Sequence, residues 1–256
     1  MKQNQSEIKF KSVLNFRDIG GIVSEGNKLI KNGVVFRSAN IDRISKSDIR
    51  KLHKLNIKTI IDLRAQYERK KHFKTINNIE KVSLSLDFEK TTREKLKPVL
   101  FKKNSEQIIS DISNSLYLEI LDAAQPTIKQ ILEILLSPDR CPILIHCQAG
   151  KDRTGIICAL LQLALKADSQ SIIGDYLKSN EALMPYFKKI LTIRKILSFG
   201  FFPSDTILFA ITLRQRNIES ILDRINNHYG GIEGYLNSSG ISAVQLARLR
   251  EKLVSN

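Results

Sequence analysis

Tryptophan is absent from the 256-residue chain, and cysteine, methionine and proline are sparse, at three, two and six residues. No stretch approaches the about eighteen consecutive apolar residues that a membrane-spanning helix needs, so none is expected. The opening segment MKQNQSEIKFKS has no apolar core, which argues against a Sec-type signal peptide. Cys141, Cys147 and Cys158 are an odd number for a disulfide framework and are not spaced as metal ligands. These absences predict a reduced, cytoplasmic protein. The pattern GxxxxGK[ST] is missing, so ATP and GTP are not indicated. Zinc-finger and RNP-type patterns are missing as well, and nucleic acid is not expected as a partner.

What the chain does have is apolar mass and positive charge. Hydrophobic residues make up 42%, enough for one sizeable core, and the whole of 1–256 reads as a single domain with its first 12 or so residues flexible. Lys and Arg outnumber Asp and Glu by 41 to 26, a net charge of +15. That excess predicts an anionic partner, acidic lipid or a phosphorylated substrate; lysine-rich composition alone is the plainer account.

Along the chain, 13–38 reads as paired short strands about a Gly26-Asn27 turn. Ser45 or Ser47 caps a helix to about Leu55. Lys58–Arg64 suits a buried strand, and Lys81–Leu86 is a second candidate. Residues 88–112 are charged and irregular, an inserted lid. Leu116–Leu136 has helical spacing broken by Pro126. Cys141–Ile145 is a short apolar strand, and Thr154–Lys166 is a helix apolar on nearly all sides. Further helices are expected near 169–181, 183–197, 204–228 and 241–254. This alternation predicts an α/β fold with a mainly parallel sheet.

The segment with the most chemistry in it is Ile143-Leu-Ile-His-Cys-Gln-Ala-Gly-Lys-Asp-Arg-Thr-Gly155, between the best strand and the most buried helix. A thiolate is a far better nucleophile than a thiol, and a helix N-terminus, converging amides and a nearby arginine favour the thiolate. The amides of Gln148, Ala149, Gly150, Lys151 and Asp152 would nest an anion, and the planar fork of Arg153 would grip two of its oxygens. Gly150 can take the positive φ that folds the loop back. Thr154 can donate its hydroxyl to the Cys147 sulfur, and His146 can hold the loop through backbone hydrogen bonds. A buried core thiol is the bland alternative for Cys147, and it is the preferred reading for Cys141 and Cys158.

HCxxGxxR[ST] is the signature of cysteine-based protein tyrosine phosphatases. With HCQAGKDRTG, NFRDIGG near the start, IDLRAQYE, DYLKSNE and HYGGIEGYLNSSGIS, the chain resembles the bacterial-type members with a lipid-phosphatase-like loop, from about residue 13 to 254. The resemblance implies a cysteine-phosphatase-like, mainly parallel sheet flanked by helices, with a helical lid over the pocket. It also implies no metal or other cofactor, a phosphocysteine intermediate, phosphotyrosine with dual-specificity or phosphoinositide activity, and, as the alternative to a cytoplasmic protein, an effector exported without a Sec signal. A weak phosphate-binding module without turnover and a sulfur-transfer enzyme are the alternatives.

A carboxyl must protonate the leaving oxygen. Many tyrosine phosphatases carry it on a Trp-Pro-Asp loop, which a chain without tryptophan cannot have. Asp87, at the end of VSLSLD, is the first candidate and Asp152 a close second; Asp62 more simply anchors its strand. Arg17, Asp18, Arg37 and Arg64 line or brace the pocket, and Arg64 with Glu68 reads as an ion pair. Lys151 suits a second phosphate, as on a phosphoinositide headgroup, or is simply solvated. Residues 183–202, with the lid extending to 204, mix Lys/Arg with large apolar side chains. They read as a lid helix, a contact with acidic membrane, or a helix packed on the domain.

Overall fold

A computed structural model describes residues 9–69, 75–102 and 104–255. Five strands, β1 (Arg17–Asp18), β2 (Val35–Ser38), β3 (Thr59–Asp62), β4 (Glu80–Ser83) and β5 (Ile143–His146), form one sheet in the order β1-β2-β5-β3-β4. All neighbours are parallel except β1 and β2. The mainly parallel α/β sheet is as expected. Ten helices accompany it among the described residues: α1 (Lys46–Lys54), α2 (Glu89–Leu96), α3 (Glu106–Ala123), α4 (Gln125–Leu136), α5 (Asp152–Ala164), α6 (Ser169–Leu197), α7 (Ser204–Ile211), α8 (Gln215–Tyr229), α9 (Ile232–Ser238) and α10 (Ala243–Leu253).

The strands are apolar on both sides because both sides are covered. Successive residues point to opposite faces. Val35, Ile61, Ile143 and Ile145 therefore enter the larger core with α3–α6 and α8–α10, while Phe36, Ile60 and Leu144 enter a smaller one with Leu52 of α1. Register places Ser38, His146 and Asp62 on one rung at the C-terminal edge of the sheet. In open parallel sheets, ligands bind beyond that edge.

Several boundaries differ from the sequence reading. Within 13–38 only β1 and β2 pair as strands; Gly26 and Asn27 do turn the chain, between Val23 and Leu29, which bridge. The segment 88–112 is largely helical, with Glu89–Arg93 and Lys90–Glu94 pairs along α2. Helices 169–181 and 183–197 are one, continuous as α6 across residue 182, with Pro185 inside it. The stretch 204–228 is two helices, parted where Asn180 clasps the backbone of Leu213, its side chain donating to the carbonyl and accepting from the amide, both at 2.9 Å. Helix α9 follows Gly230-Gly231, where the sequence pattern gives no helix. Residues 1–8 of the expected flexible segment lie outside the described residues, but the amides of Lys11 and Ser12 donate to buried Asp48 at the start of α1.

Candidate active site

Central strand β5 ends at His146 and the buried helix α5 begins at Asp152, so the loop between them lies at the middle of the sheet edge. Cys147 is its first residue and is buried. The carbonyls of Gln148, Ala149 and Gly150 are each held by donors from outside the loop. Asn40 donates its amide and side-chain N–H to Gln148, both at 3.1 Å. Asn15 donates to Ala149 and Gly150 at 3.2 and 2.8 Å, and Arg37 donates to Gly150 at 2.9 Å. A peptide plane carries its C=O and N–H in opposite directions. Pinning the carbonyls outward therefore turns the loop's N–H groups inward, and among the described residues the amides of Gln148, Ala149, Gly150 and Lys151 donate to no protein acceptor. Gly150 sits at φ +67°, and a Cβ there would lie 2.2 Å from the Ser38 carbonyl oxygen. No other residue type fits both conditions.

Arg153, on the first turn of α5, is clamped. Its Nη1 and Nη2 donate to the two carboxylate oxygens of Glu68 at 2.6 and 2.7 Å, and Nη1 also donates to the Leu86 carbonyl at 3.1 Å. Burial favours the neutral form, but Glu68 outweighs it and the guanidinium is held still more firmly in its charged state. Of its five N–H donors, Nε–H and one on Nη2 remain free of protein acceptors among the described residues. Glu68 is thus a site residue that the sequence reading assigned elsewhere. Arg64 does not pair with it: Arg64 bonds Asp42 at 2.7 and 2.8 Å and Asp62 at 3.0 Å.

Asp152 lines the cavity beside Cys147. Its Oδ1 accepts from the Tyr117 hydroxyl at 2.6 Å and from Lys151 Nζ at 2.8 Å, and Tyr176 in turn donates to Tyr117 at 2.7 Å. Its Oδ2 has no protein donor among the described residues. Burial pushes this carboxyl up, but the Lys151 charge and the two hydrogen bonds hold it below the usual range. Lys151 therefore reaches Asp152, not open solvent. Asp87 is exposed, accepts a hydrogen bond from Tyr67, and does not line the cavity.

Other expected roles divide. Burial holds His146 down to about 4, so it is neutral near pH 7; its Nδ1 lies 3.3 Å from the Cys147 carbonyl, as a loop brace would. The buried Thr154 hydroxyl has no hydrogen-bond partner among the described residues, the Cys147 sulfur included. Asp62 anchors Arg64 through its amide and side chain. Arg17 and Arg37 converge on Asp175 at 2.7 and 2.9 Å and brace the loop from behind. Asp18 serves a turn instead, accepting from the Gly20 and Gly33 amides.

The cavity above the loop has a volume of about 310 Å³. Phe88 just before α2 and Leu96 within it, Leu116 and Ile120 from α3, and Phe187 and Ile211 from α6 and α7 wall it. Phe88, Leu96 and Phe187 of this wall fall in the stretches expected as a lid; Leu116, Ile120 and Ile211 do not. A wider cavity of about 630 Å³ lies across Gln148 and Ala149, lined by Lys11 and Arg43 among others. No cluster of three or more His, Cys, Asp or Glu that could hold a metal occurs among the described residues.

A model of the tyrosine phosphatase family matches residues 8–255, and the chain belongs to that family. It is a protein-tyrosine phosphatase by class, a hydrolase. The chain is similar to a Cupriavidus necator protein named as a tyrosine-protein phosphatase, with 23% identity over 97% of this chain and 88% of that one. It is also similar to the triple specificity protein phosphatase PtpB of Mycobacterium tuberculosis, with 24% identity over 94% and 96%. Among solved structures, that of P. aeruginosa TpbA covers 59% of this chain and 71% of its own at 16% identity, with a TM-score of 0.32.

Proposed function

We propose that the protein dephosphorylates phosphotyrosine in proteins through a phosphocysteine intermediate. The Cys147 thiolate attacks phosphorus, the bond to the tyrosyl oxygen breaks, and Asp152 gives that oxygen its proton. Water then attacks the thiophosphate, Asp152 takes its proton back, and phosphate leaves with the thiolate restored. One observation carries this reading: the inward, unpartnered amides of 148–151 and the two free donors of Arg153 surround Cys147, the arrangement a phosphoryl group needs. The apolar walls suit an aryl ring. Asp152 supports the acid role better than Asp87, because it lines the cavity and keeps Oδ2 free. It is held ionised in the empty site, and an arriving phosphate dianion would raise it by like-charge repulsion.

Aryl phosphate turnover without added metal, lost in Cys147→Ser, is expected. Turnover that survives the change or requires a divalent ion would sink the reading, and thiosulfate turnover would favour sulfur transfer. Asp152→Asn should cost about 10²–10⁴-fold in kcat, with Asp87→Asn near wild type; the reverse order would return the acid to Asp87.

A second reading, phosphoinositide hydrolysis at the same site, draws on Lys151 at the cavity wall. Lys151→Ala should then impair polyphosphorylated headgroups more than a small aryl phosphate. An equal loss on both would mean that Lys151 serves Asp152 alone.

A further inference from the structure

Exposed large hydrophobic side chains are not spread evenly over the described surface. Five of them, Ile193, Ile196, Leu197, Phe199 and Phe201, crowd the end of α6 and the turn that follows. Ile196 and Leu197 are 70% and 75% exposed, and Phe199 and Phe201 are 93% and 88% exposed. Ile193, Ile196 and Leu197 follow i, i+3, i+4 spacing and so share one stripe of the helix. The two exposed phenylalanines lie on the turn that follows the helix end. Clusters of this kind mark an interaction surface, whereas single exposed apolar residues do not.

The backbone adds a conformational cost at the same place. Phe199 follows the C-cap of α6 at φ 52°, in the left-handed region where glycine is the usual residue. Gly200 stands one position later and does not relieve it. The turn thus holds an aromatic ring in solvent, in a conformation that a smaller residue would adopt more readily. Packing within the chain does not account for that choice.

The surrounding charge indicates the partner. Lys188, Lys189, Arg194 and Lys195 lie on the last three turns of α6, and residues 182–204 contain no Asp or Glu. Of these four, only Lys195 pairs with a carboxylate among the described residues, the exposed Asp205 at 3.1 Å. Two copies meeting tip to tip would bring these cations together with nothing to neutralise them. An anionic bilayer accepts both features at once: apolar side chains enter the acyl boundary while the cations meet acidic headgroups.

We propose that the α6–α7 tip docks the protein on anionic lipid surfaces, with Phe199 and Phe201 as the inserted anchors. Phe187 on α6 walls the cavity, and Leu197 lies ten residues further on, about 15 Å away at helical rise. Docking therefore seats the cavity close above the headgroups, next to membrane-borne substrates. The docking itself does not depend on the phosphatase reading.

The test is co-sedimentation of the full chain with phosphatidylcholine vesicles, with and without phosphatidylserine. Wild type is expected to bind only the phosphatidylserine vesicles, and less as salt rises. Phe199→Gly with Phe201→Ser should weaken binding by at least about tenfold. The same variant should keep its aryl phosphate turnover and melt no lower, because glycine relieves the turn. Cys147→Ser should bind as wild type does, which separates failure of docking from failure of the catalytic assignment. No binding to acidic vesicles, or undiminished binding by the double variant, would overturn the proposal. So would a wild-type dimer that the variant dissociates without any vesicle binding, since the occupant would then be a second copy.

Discussion

Arg153 divides its donors between structure and substrate. Three hydrogen bonds to Glu68 and Leu86 fix the plane of the guanidinium, and the remaining N–H groups have no protein acceptor among the described residues. Glu68→Gln keeps the volume but can accept only one of the two Nη bonds, so the fork is no longer held flat. A fall of about tenfold to a hundredfold in kcat/KM is expected, with the fold intact by circular dichroism. Asp62 works differently. Burial alone would raise it, but the Arg64 hydrogen bonds and charge bring it down to about 2. A depressed carboxyl adds stability above its unfolded value of about 4, and that stability is lost as pH falls through the folded value. The contribution is about 2 kcal/mol, and it should disappear between about pH 4 and pH 2 in wild type but be absent throughout in Asp62→Asn. Denaturant titrations across that range give the answer.

At the scale of elements, the loop is shaped by side chains from strands and turns that precede it by more than a hundred residues. Asn15, Arg37 and Asn40 reach it from the β1–β2 side, and Asp175 on α6 holds Arg37 from beneath. A second clasp acts on the cavity wall. Asn180 satisfies both backbone groups of Leu213 and so ends α7 and starts α8, placing Leu213 and Arg214 at the cavity. Asn180→Ala leaves those two groups unpaired and should cost about 1–3 kcal/mol of stability. Because the wall shifts while Cys147 and Arg153 stay in place, KM should rise more than kcat falls. A variant with unchanged KM would mean that the α7–α8 break is held by packing alone.

For the molecule as a whole, an anion bound to the loop is linked to folding. Vanadate at a hundred times its Kd should add about 2.7 kcal/mol of stability, a shift of about 5–10 °C in Tm for a chain of this size. Arg153→Met should abolish most of that shift, and vanadate or phosphate should protect Cys147 from iodoacetate. The net charge of +15 acts at longer range. Association with anionic substrates should slow as ionic strength rises and the screening length falls to about 8–10 Å, visible as a rise in KM.

The sequence by itself determined the loop and its frame. Cys147, Gly150, Arg153 and the strand and helix on either side are contiguous, so hydrophobic period and residue chemistry were enough to read them, as they were for the parallel sheet. Boundaries without a local signal were not legible. Nothing in Thr-Leu-Arg-Gln-Arg at 212–216 marks a helix break, because the break comes from Asn180, some thirty residues away. Pro185, which looks like a breaker, costs α6 one hydrogen bond without ending it. Only the tertiary structure decided which charges meet. Arg64 and Glu68 are four residues apart and of opposite sign, yet strand β3 turns Arg64 toward Asp42 while the following turn sends Glu68 to Arg153. Asp87 and Asp152 looked alike as carboxylates near a strand end, and they differ because one faces solvent and the other faces the cavity. Charge pairing and burial depend on where the chain returns in space, and no local pattern of residue types carries that.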